Sequence, residues 1–236
     1  MEAYTILAKY YDTLMQDFDY KTYLDFIKNY TKGEGIDLCC GTGTMTILLS
    51  KLGNKMLGVD LSSEMLNTAR NKARENFQNI IFIESDIFEF EPPHKVDFVT
   101  CVCDGVNYLP QGEITKLFEN ISRFIKKDGY FIFDVSSEYK LTNILGNNVF
   151  CEDTEKATYI WSNSLEDNKV IMQLSFFEKE KDDLYRRVEE DHTQYIQKQE
   201  DLLKALSEFD VQIFDGQDFS EVKKDSRRLL FVCKRR

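Results

Sequence analysis

Short apolar runs alternate with helical segments through the first half of the chain, and this alternation constrains the fold most. Apolar runs cover residues 36–40, 55–60, 80–84, 96–103 and 130–135, and helical patterns separate several of them at residues 44–51, 62–75 and 113–125. Continuous apolar runs are typical of strands that are buried on both faces of a parallel sheet. The pattern predicts an α/β fold with a doubly wound, mostly parallel, Rossmann-like sheet.

A different pattern begins after residue 136. Residues 158–163, 170–177 and 185–195 are strand-like without helices between them, and polar turn sequences lie at 166–169 and 180–183. Such runs predict hairpins, so we expect an antiparallel β cap inserted at residues 137–196. A helix at 197–209 follows, and strands at 211–214 and 229–233 complete the main sheet as its sixth and seventh strands. The main domain then comprises residues 1–136, with lid helices in its first 30 residues, and residues 197–236.

Charge and hydropathy limit the partners and the location. The 236 residues contain 41 Asp and Glu against 30 Lys and Arg, for a net charge of −11, which argues against broad binding to a phosphate backbone. Residues 223–236, which are rich in Lys and Arg, are the exception to this acidic character; we call them the basic end. The apolar runs are shorter than the roughly 20 residues of a membrane span, and residues 1–12 do not have a secretory pattern. We expect a cytoplasmic monomer or homodimer with no membrane or nucleic-acid partner.

Polar and glycine residues follow the first three apolar runs, where ligands bind in doubly wound sheets. The first run contains Asp37 and leads into Gly41-Thr42-Gly43, whose glycines let the backbone approach a ligand closely. Asp60 ends the second run, 19 residues after Gly41, at the spacing of a carboxylate that binds ribose hydroxyls. The third run is followed by Ser85-Asp86-Ile87. Together these residues predict a nucleoside site.

The glycine spacing distinguishes between nucleoside cofactors. A dinucleotide fold uses G-x-G-x-x-G, and in the frame that begins at Gly41 the third glycine is replaced by Thr46. This disfavours an NAD-dependent oxidoreductase, which stays open as an alternative.

The set Asp37, Gly41-Thr42-Gly43, Asp60 and Asp86 resembles the class I S-adenosylmethionine-dependent methyltransferases. The resemblance implies that the turn Cys39–Gly43 lies against the methionyl part of S-adenosylmethionine, that Asp60 binds the ribose and that Asp86 binds the adenine. It also implies a cofactor site completed by Leu61, Met65, Ser85, Ile87, Cys101 and Val102, with Tyr11 over the methyl donor. We expect a side chain at Gly43 to occupy the space of the cofactor. Cys39 departs from the family pattern, which has glycine there.

The segments AKYYD, DGVNYL and FDVSSEYK look like a subfamily of small-molecule methyltransferases with an antiparallel cap, close to the amino-sugar N-methyltransferases. This resemblance implies methyl transfer to a small amine, hydroxyl or carboxylate acceptor. The expected catalytic residues are Tyr11, Asp104, Asn107 and His192, with Asp104 and Asn107 projecting towards the transferred methyl group. An RNA or protein acceptor, and a relative that binds a nucleoside without catalysis, stay open.

The six cysteines do not predict a metal site. Cys39 and Cys40 are adjacent, so their side chains point to opposite faces of a strand, whereas Cys101 and Cys103 share one face. Four thiolates at these positions do not converge as tetrahedral zinc requires. We expect reduced cysteines and no bound metal.

Overall fold

A computed structural model describes residues 7–153, 157–181 and 184–236. The strands are β1 (Glu34–Leu38), β2 (Lys55–Asp60), β3 (Ile81–Glu84), β4 (Val96–Cys101), β5 (Ile125–Ser136), β6 (Val149–Asp153), β7 (Ala157–Glu166), β8 (Lys169–Lys179), β9 (Tyr185–Tyr195), β10 (Phe209–Asp215) and β11 (Arg228–Arg235). The helices are α1 (Leu7–Leu14), α2 (Tyr20–Ile27), α3 (Thr44–Lys51), α4 (Ser63–Glu75), α5 (Ile114–Phe124) and α6 (Gln199–Ala205).

Seven strands form one sheet in the order β3-β2-β1-β4-β5-β11-β10. The first five of these strands are parallel to one another, and β11 runs antiparallel to both β5 and β10. The remaining four strands form a separate antiparallel sheet in the order β6-β7-β8-β9, which we call the cap sheet. The predicted doubly wound sheet with an antiparallel cap is confirmed. Its division into two domains stays a prediction.

Helices cover both faces of the seven-stranded sheet because its strands are apolar on both sides. On one face, Tyr23 and Ile27 of α2 pack with Leu49 of α3 and Phe98 of β4. On the other face, a second apolar cluster joins α5 and α6 to the central strands. This packing of helices on both faces holds the sheet in place, so the carboxyl ends of its parallel strands lie along one side of the molecule. None of the helices in the described residues is both long and apolar enough to cross a membrane.

Two elements differ from their predicted form. Strand β5 begins at Ile125 rather than at residue 130, because Ile125 already pairs with Val96 of β4. A register shift that contains the left-handed Asp128 (φ 66°) separates this pair from the next one, Tyr130 with Phe98. The cap sheet has a fourth strand, β6, that was not predicted. Every residue of β6 is exposed, so the segment lacks the alternation of a half-buried strand. The predicted turn at 166–169 joins β7 to β8, whereas residues 182–183 of the predicted turn at 180–183 lie outside the described residues.

Helix α1 packs between the cap sheet and the start of α4. Its residues Leu7 and Tyr10 belong to one apolar cluster with Met65 of α4 and with Met172 and Phe176 of β8. The Tyr10 ring stacks on Phe176 with centroids 5.3 Å apart. This helix is therefore a shared wall between the main sheet and the cap sheet.

Two glutamates of the cap sheet reinforce this contact. Tyr10 donates a hydrogen bond to Glu178 (2.6 Å), and Glu178 also pairs with Lys9 of α1. The backbone N–H of Leu7 donates to Glu190 (3.2 Å) at the start of the helix. A carboxylate at this end also interacts favourably with the helix dipole. The cap sheet thus holds α1 by polar and apolar contacts.

The tight contact between β1 and β4 at Gly35 leads to a stability prediction. Gly35 lies opposite Phe98, and a Cβ added at Gly35 would lie 2.2 Å from the ring. We expect Gly35→Ala to lower the free energy of unfolding by about 1–3 kcal/mol, the cost of overpacking a core. Urea unfolding measures the effect. Gly112→Ala is the matched control because a Cβ there meets nothing within 4 Å, and equal stability losses in the two variants would contradict the packing argument.

Candidate active site

A cavity of about 490 Å³ opens at the carboxyl ends of the parallel strands, within the usual size range of small-molecule sites. We call it the large cavity. The predicted residues that line it are Tyr11, Cys39, Gly41, Asp60, Leu61, Met65, Asp86 and Ile87. A small cavity of about 20 Å³ lies beside the glycine turn, and the predicted residues along it are Tyr11, Asp37, Cys39, Gly41, Thr42 and Val102. The structure thus brings most of the predicted cofactor residues together.

Asp60 joins the end of β2 to the glycine turn. One carboxylate oxygen accepts a hydrogen bond from the backbone N–H of Gly41 (2.7 Å), and the other accepts from that of Ser62 (2.9 Å). Burial raises the pKa of Asp60, and these two N–H groups oppose the rise. Each oxygen keeps further acceptor capacity, so this carboxylate on the large cavity can still accept hydrogen bonds from a ribose.

The glycine turn is built from left-handed residues. Cys39 has φ 52°, Gly41 has φ 53° and Gly43 has φ 74°. A Cβ added at Gly41 meets nothing within 4 Å, so the backbone at Gly41 is open to both cavities. Cys39 adopts the left-handed conformation without being glycine, which costs of the order of 1 kcal/mol.

The expectation for Gly43 needs correction. A Cβ added at Gly43 would lie 2.9 Å from Cβ of Ala69 and 3.2 Å from the ring of Phe82. A side chain there would collide with α4 and β3 rather than occupy the cofactor's space. Glycine at this position serves the packing of α4 against the turn.

Asp37 lies beneath the glycine turn and is 1% exposed. Its two carboxylate oxygens accept hydrogen bonds from the hydroxyl groups of Thr46 (2.5 Å) and Thr100 (2.6 Å). Burial raises the pKa of Asp37 to about 6, and the two hydroxyl groups oppose the rise. Thr46 stands where a dinucleotide fold has its third glycine, and here its hydroxyl group ties α3 to β1.

The segment after β3 folds around Asp86. The carboxylate of Asp86 accepts a hydrogen bond from the backbone N–H of Phe88 (2.8 Å) and lines the large cavity with Ile87. Ser85 instead donates its hydroxyl hydrogen to the carbonyl of Asp86 (3.0 Å) and does not line either cavity. Ser85 therefore supports the shape of the segment.

Cys101 also lies outside the lining of both cavities. It is 2% exposed, and the hydrogen bond between its thiol and that of Cys39 raises the pKa of Cys101 well above its usual value, as does burial. Within the described residues, no group of three or more His, Cys, Asp or Glu side chains is placed to hold a metal ion.

Asp104 does not project into either cavity, contrary to expectation. Its carboxylate pairs with Arg228 of β11 (2.7 Å), and the same guanidinium pairs with Asp134 of β5. Tyr23 donates a further hydrogen bond to Asp134 (2.7 Å). The positive charge of Arg228, together with Lys140, lowers the pKa of Asp104 against the effect of burial. Asp104 therefore anchors the segment after β4, and the residues beyond it reach the large cavity.

Asn107 and His192 are also placed differently from their predicted roles. Asn107 is fully buried, accepts a hydrogen bond from the backbone N–H of Ser136 (2.8 Å) and donates to the carbonyl of Tyr195 (3.1 Å). It links the segment after β4 to the cap sheet. His192 lies 2.7 Å from Glu190, with its side chain 2% exposed. Neither residue lines a cavity.

Several lining residues were not singled out from the sequence. They lie mainly after β3 and β4 and at the start of α2 and α3: Tyr20, Cys40, Thr44, Met45, Phe88, Cys103, Gly105, Tyr108, Leu109, Pro110 and Glu113. Tyr108 had a usable signal, because it is an aromatic residue of the motif DGVNYL in the segment that follows β4. Glu113 had no such signal, because nothing in the sequence indicates that a residue so far after β4 lines the cavity.

Tyr11 is the one expected catalytic residue that lines both cavities. Burial raises the pKa of Tyr11 well above its usual value, and neighbouring Cys103 and Tyr20 add to the rise. The phenol therefore stays protonated near neutral pH and can donate a hydrogen bond.

Comparison with known proteins gives a consistent family. Residues 36–129 match the family described as a methyltransferase domain. A protein of Geobacillus sp. (strain WCH70) that is named as a methyltransferase is 32% identical over 247 residues, covering 99% of this chain and 100% of the relative. The chain belongs to the S-adenosylmethionine-dependent methyltransferases. Its cofactor is S-adenosylmethionine.

Solved structures agree with this methyltransferase assignment. An S-adenosylmethionine-dependent methyltransferase from Clostridium acetobutylicum ATCC 824 is 34% identical, with a TM-score of 0.88 and 98% of each chain covered. A sugar N-methyltransferase from Streptoalloteichus sp ATCC 53650 shares the fold, with a TM-score of 0.78 at 18% identity, over 96% of this chain and 92% of that one. These relatives do not support the NAD-dependent oxidoreductase or the non-enzymatic alternative.

The raised pKa of Asp37 generates a pH prediction for this methyltransferase. An acid whose pKa rises from 3.8 to about 6 on folding makes the folded state bind more protons than the unfolded state between these values. Stability is therefore lost as pH rises through this window, by up to about 3 kcal/mol. Asp37→Asn removes the titration, so wild type should lose stability relative to this variant between about pH 4 and pH 6. Urea unfolding at a series of pH values measures the difference, and parallel pH profiles would contradict the assignment.

Proposed function

We propose that this methyltransferase transfers the methyl group to a small-molecule acceptor with an amine or hydroxyl nucleophile. S-adenosylmethionine supplies an already activated methyl group. In this proposal the adenosyl part lies in the large cavity, with Asp60 on the ribose and Asp86 at the adenine, and the methionyl part lies along the glycine turn. The observation that supports the placement is the convergence of the predicted cofactor residues on one cavity.

The charges of the large cavity favour certain acceptors. Its ionisable lining groups include three carboxylates, Asp60, Asp86 and Glu113, and no Lys, Arg or His is among the described residues that line it. An anionic acceptor would meet like charges there without a compensating cation. A carboxylate acceptor is therefore disfavoured, and an amine or hydroxyl is favoured. The fold shared with a sugar N-methyltransferase supports the same preference.

The mechanism we infer depends mainly on positioning. A bound nucleophile held in line with the methyl group gains much of its rate from orientation and from exclusion of water. Tyr11, on the wall between the two cavities, would donate a hydrogen bond from its protonated phenol. The cap sheet would close the acceptor side through its contacts with α1.

The basic end at residues 223–236 offers little support for an RNA acceptor. Arg228 is buried between two carboxylates. Lys234 pairs with Asp128 (2.9 Å), and Arg235 pairs with Glu208 (2.9 Å). Arg236 lies 3.5 Å from Asp210. Acidic neighbours thus offset much of the positive charge that a nucleic-acid backbone would need.

Cofactor binding tests the role of Asp60. We expect Asp60→Ala to weaken binding of S-adenosylmethionine by roughly 1–3 kcal/mol, the scale of a lost hydrogen bond to a charged group. Isothermal titration calorimetry with S-adenosylmethionine, S-adenosylhomocysteine and NAD in parallel measures the change. Asp25→Ala, at an exposed position of α2, is the control and should bind as wild type does. An Asp60→Ala variant with wild-type affinity would remove Asp60 from the site.

The acceptor class is tested by methyl transfer. Purified protein is incubated with methyl-labelled S-adenosylmethionine and separate pools of small amines, alcohols, carboxylates and total RNA. We expect label in the amine or alcohol pool, because the large cavity is lined by carboxylates. Label in the RNA pool alone would support the alternative acceptor, and label in the carboxylate pool alone would contradict the charge argument.

A further inference from the structure

We propose that Lys72 binds the carboxylate of the cofactor's methionyl part, together with the hydroxyl groups of Thr42 and Thr44. The proposal rests on the placement of the methionyl part along the glycine turn, and it names a cofactor-binding residue that neither the sequence motifs nor the cavity linings include.

Lys72 reaches from α4 to the rim of the small cavity. Its Nζ atom lies 2.6 Å from the hydroxyl oxygen of Thr44 and 3.1 Å from that of Thr42. Both threonines line the small cavity, and the Lys72 side chain is 23% exposed. An ammonium group in this position lies directly behind two hydroxyl groups that face the cavity.

The surrounding charges favour a cation beside the cofactor's carboxylate. The small cavity has the buried carboxyl of Asp37 in its lining, and the large cavity has Asp60, Asp86 and Glu113. The methionyl part carries an α-ammonium group as well as a carboxylate, and the acidic lining suits the ammonium but not the carboxylate. An unpaired charge in a partly buried site costs several kcal/mol, so a cation beside the carboxylate stabilises the bound cofactor.

Arg228 acts electrostatically on Tyr20 and Cys103 in the lining of the small cavity, but this cation is already paired with carboxylates. Its guanidinium is buried and pairs with both Asp104 and Asp134. Lys72, in contrast, pairs with one carboxylate, that of Asp12, among the described residues. Asp12 lies on α1 with its side chain 46% exposed, so this partner can be exchanged at small cost.

The contacts of Asp12 show that these donors can bind a carboxylate. It lies 2.7 Å from Nζ of Lys72 and accepts a hydrogen bond from the hydroxyl of Thr42 (2.6 Å). The hydroxyl groups and the ammonium therefore form a preorganised donor set, and the cofactor's carboxylate replaces Asp12 on it.

The test separates the carboxylate from the rest of the cofactor. Isothermal titration calorimetry compares S-adenosylhomocysteine and S-adenosylmethionine with decarboxylated S-adenosylmethionine, which lacks this carboxylate alone. We expect Lys72→Met to weaken binding of the first two by about 10- to 100-fold, the range of a charge-assisted hydrogen bond. Binding of the decarboxylated compound should change by less than about twofold. Lys72→Arg should restore most of the lost affinity.

Lys51→Met is the matched control, because Lys51 is an exposed lysine of α3 that hydrogen-bonds Asn76. Circular dichroism and thermal unfolding check that each variant is folded, and Lys72→Gln replaces Lys72→Met if the latter does not fold. Equal losses for the carboxylate-bearing and decarboxylated compounds, or no loss for either, would overturn the proposal. Wild-type protein that binds none of the three compounds would instead contradict the proposed function on which this inference rests.

Discussion

The hydrogen bond between the Asp60 carboxylate and the backbone N–H of Gly41 holds the carboxyl ends of β1 and β2 together, and the site depends on it. At 2.7 Å it closes the turn after β1 onto the end of β2. Asp37 lies beneath the same turn, and its two carboxylate oxygens accept hydrogen bonds from Thr46 of α3 and Thr100 of β4. Two buried or half-buried carboxylates thus fix the backbone that borders both cavities. Their raised pKa values are the electrostatic cost of this arrangement.

A second set of charges fixes the next segment around the cavity. Arg228, from the strand near the chain's end, pairs with Asp104 and Asp134 and so ties β11 to the segment after β4 and to β5. Gly105 and Tyr108, immediately beyond Asp104, line the large cavity. Each partner would be costly to bury alone, so the three side chains specify one position for this wall of the site.

The sequence predicted the sheet well because its strands are continuous apolar runs and its ligand-binding edge follows from parallel order. Spacing from the glycine turn singled out Asp60, and the position after the third apolar run singled out Asp86; both line the large cavity. Side-chain direction was not predictable in the same way. Asp104 and Asn107 follow the right strand, but their directions depend on Arg228, Ser136 and Tyr195, which are distant in sequence. Strand β6 was missed because an exposed edge strand need not alternate in hydropathy.

Helix α1 links the two halves of the molecule thermodynamically. Its Tyr11 faces the cavities, while Tyr10, one residue earlier, is held by Phe176 and Glu178 of the cap sheet. A ligand that restrains one side of the helix also lowers the conformational entropy that remains to be lost on the other side. By linkage, the same free energy acts in both directions. In the proposed cofactor placement, occupancy of the site and docking of the cap sheet would therefore be positively cooperative, coupled through adjacent residues of one short helix.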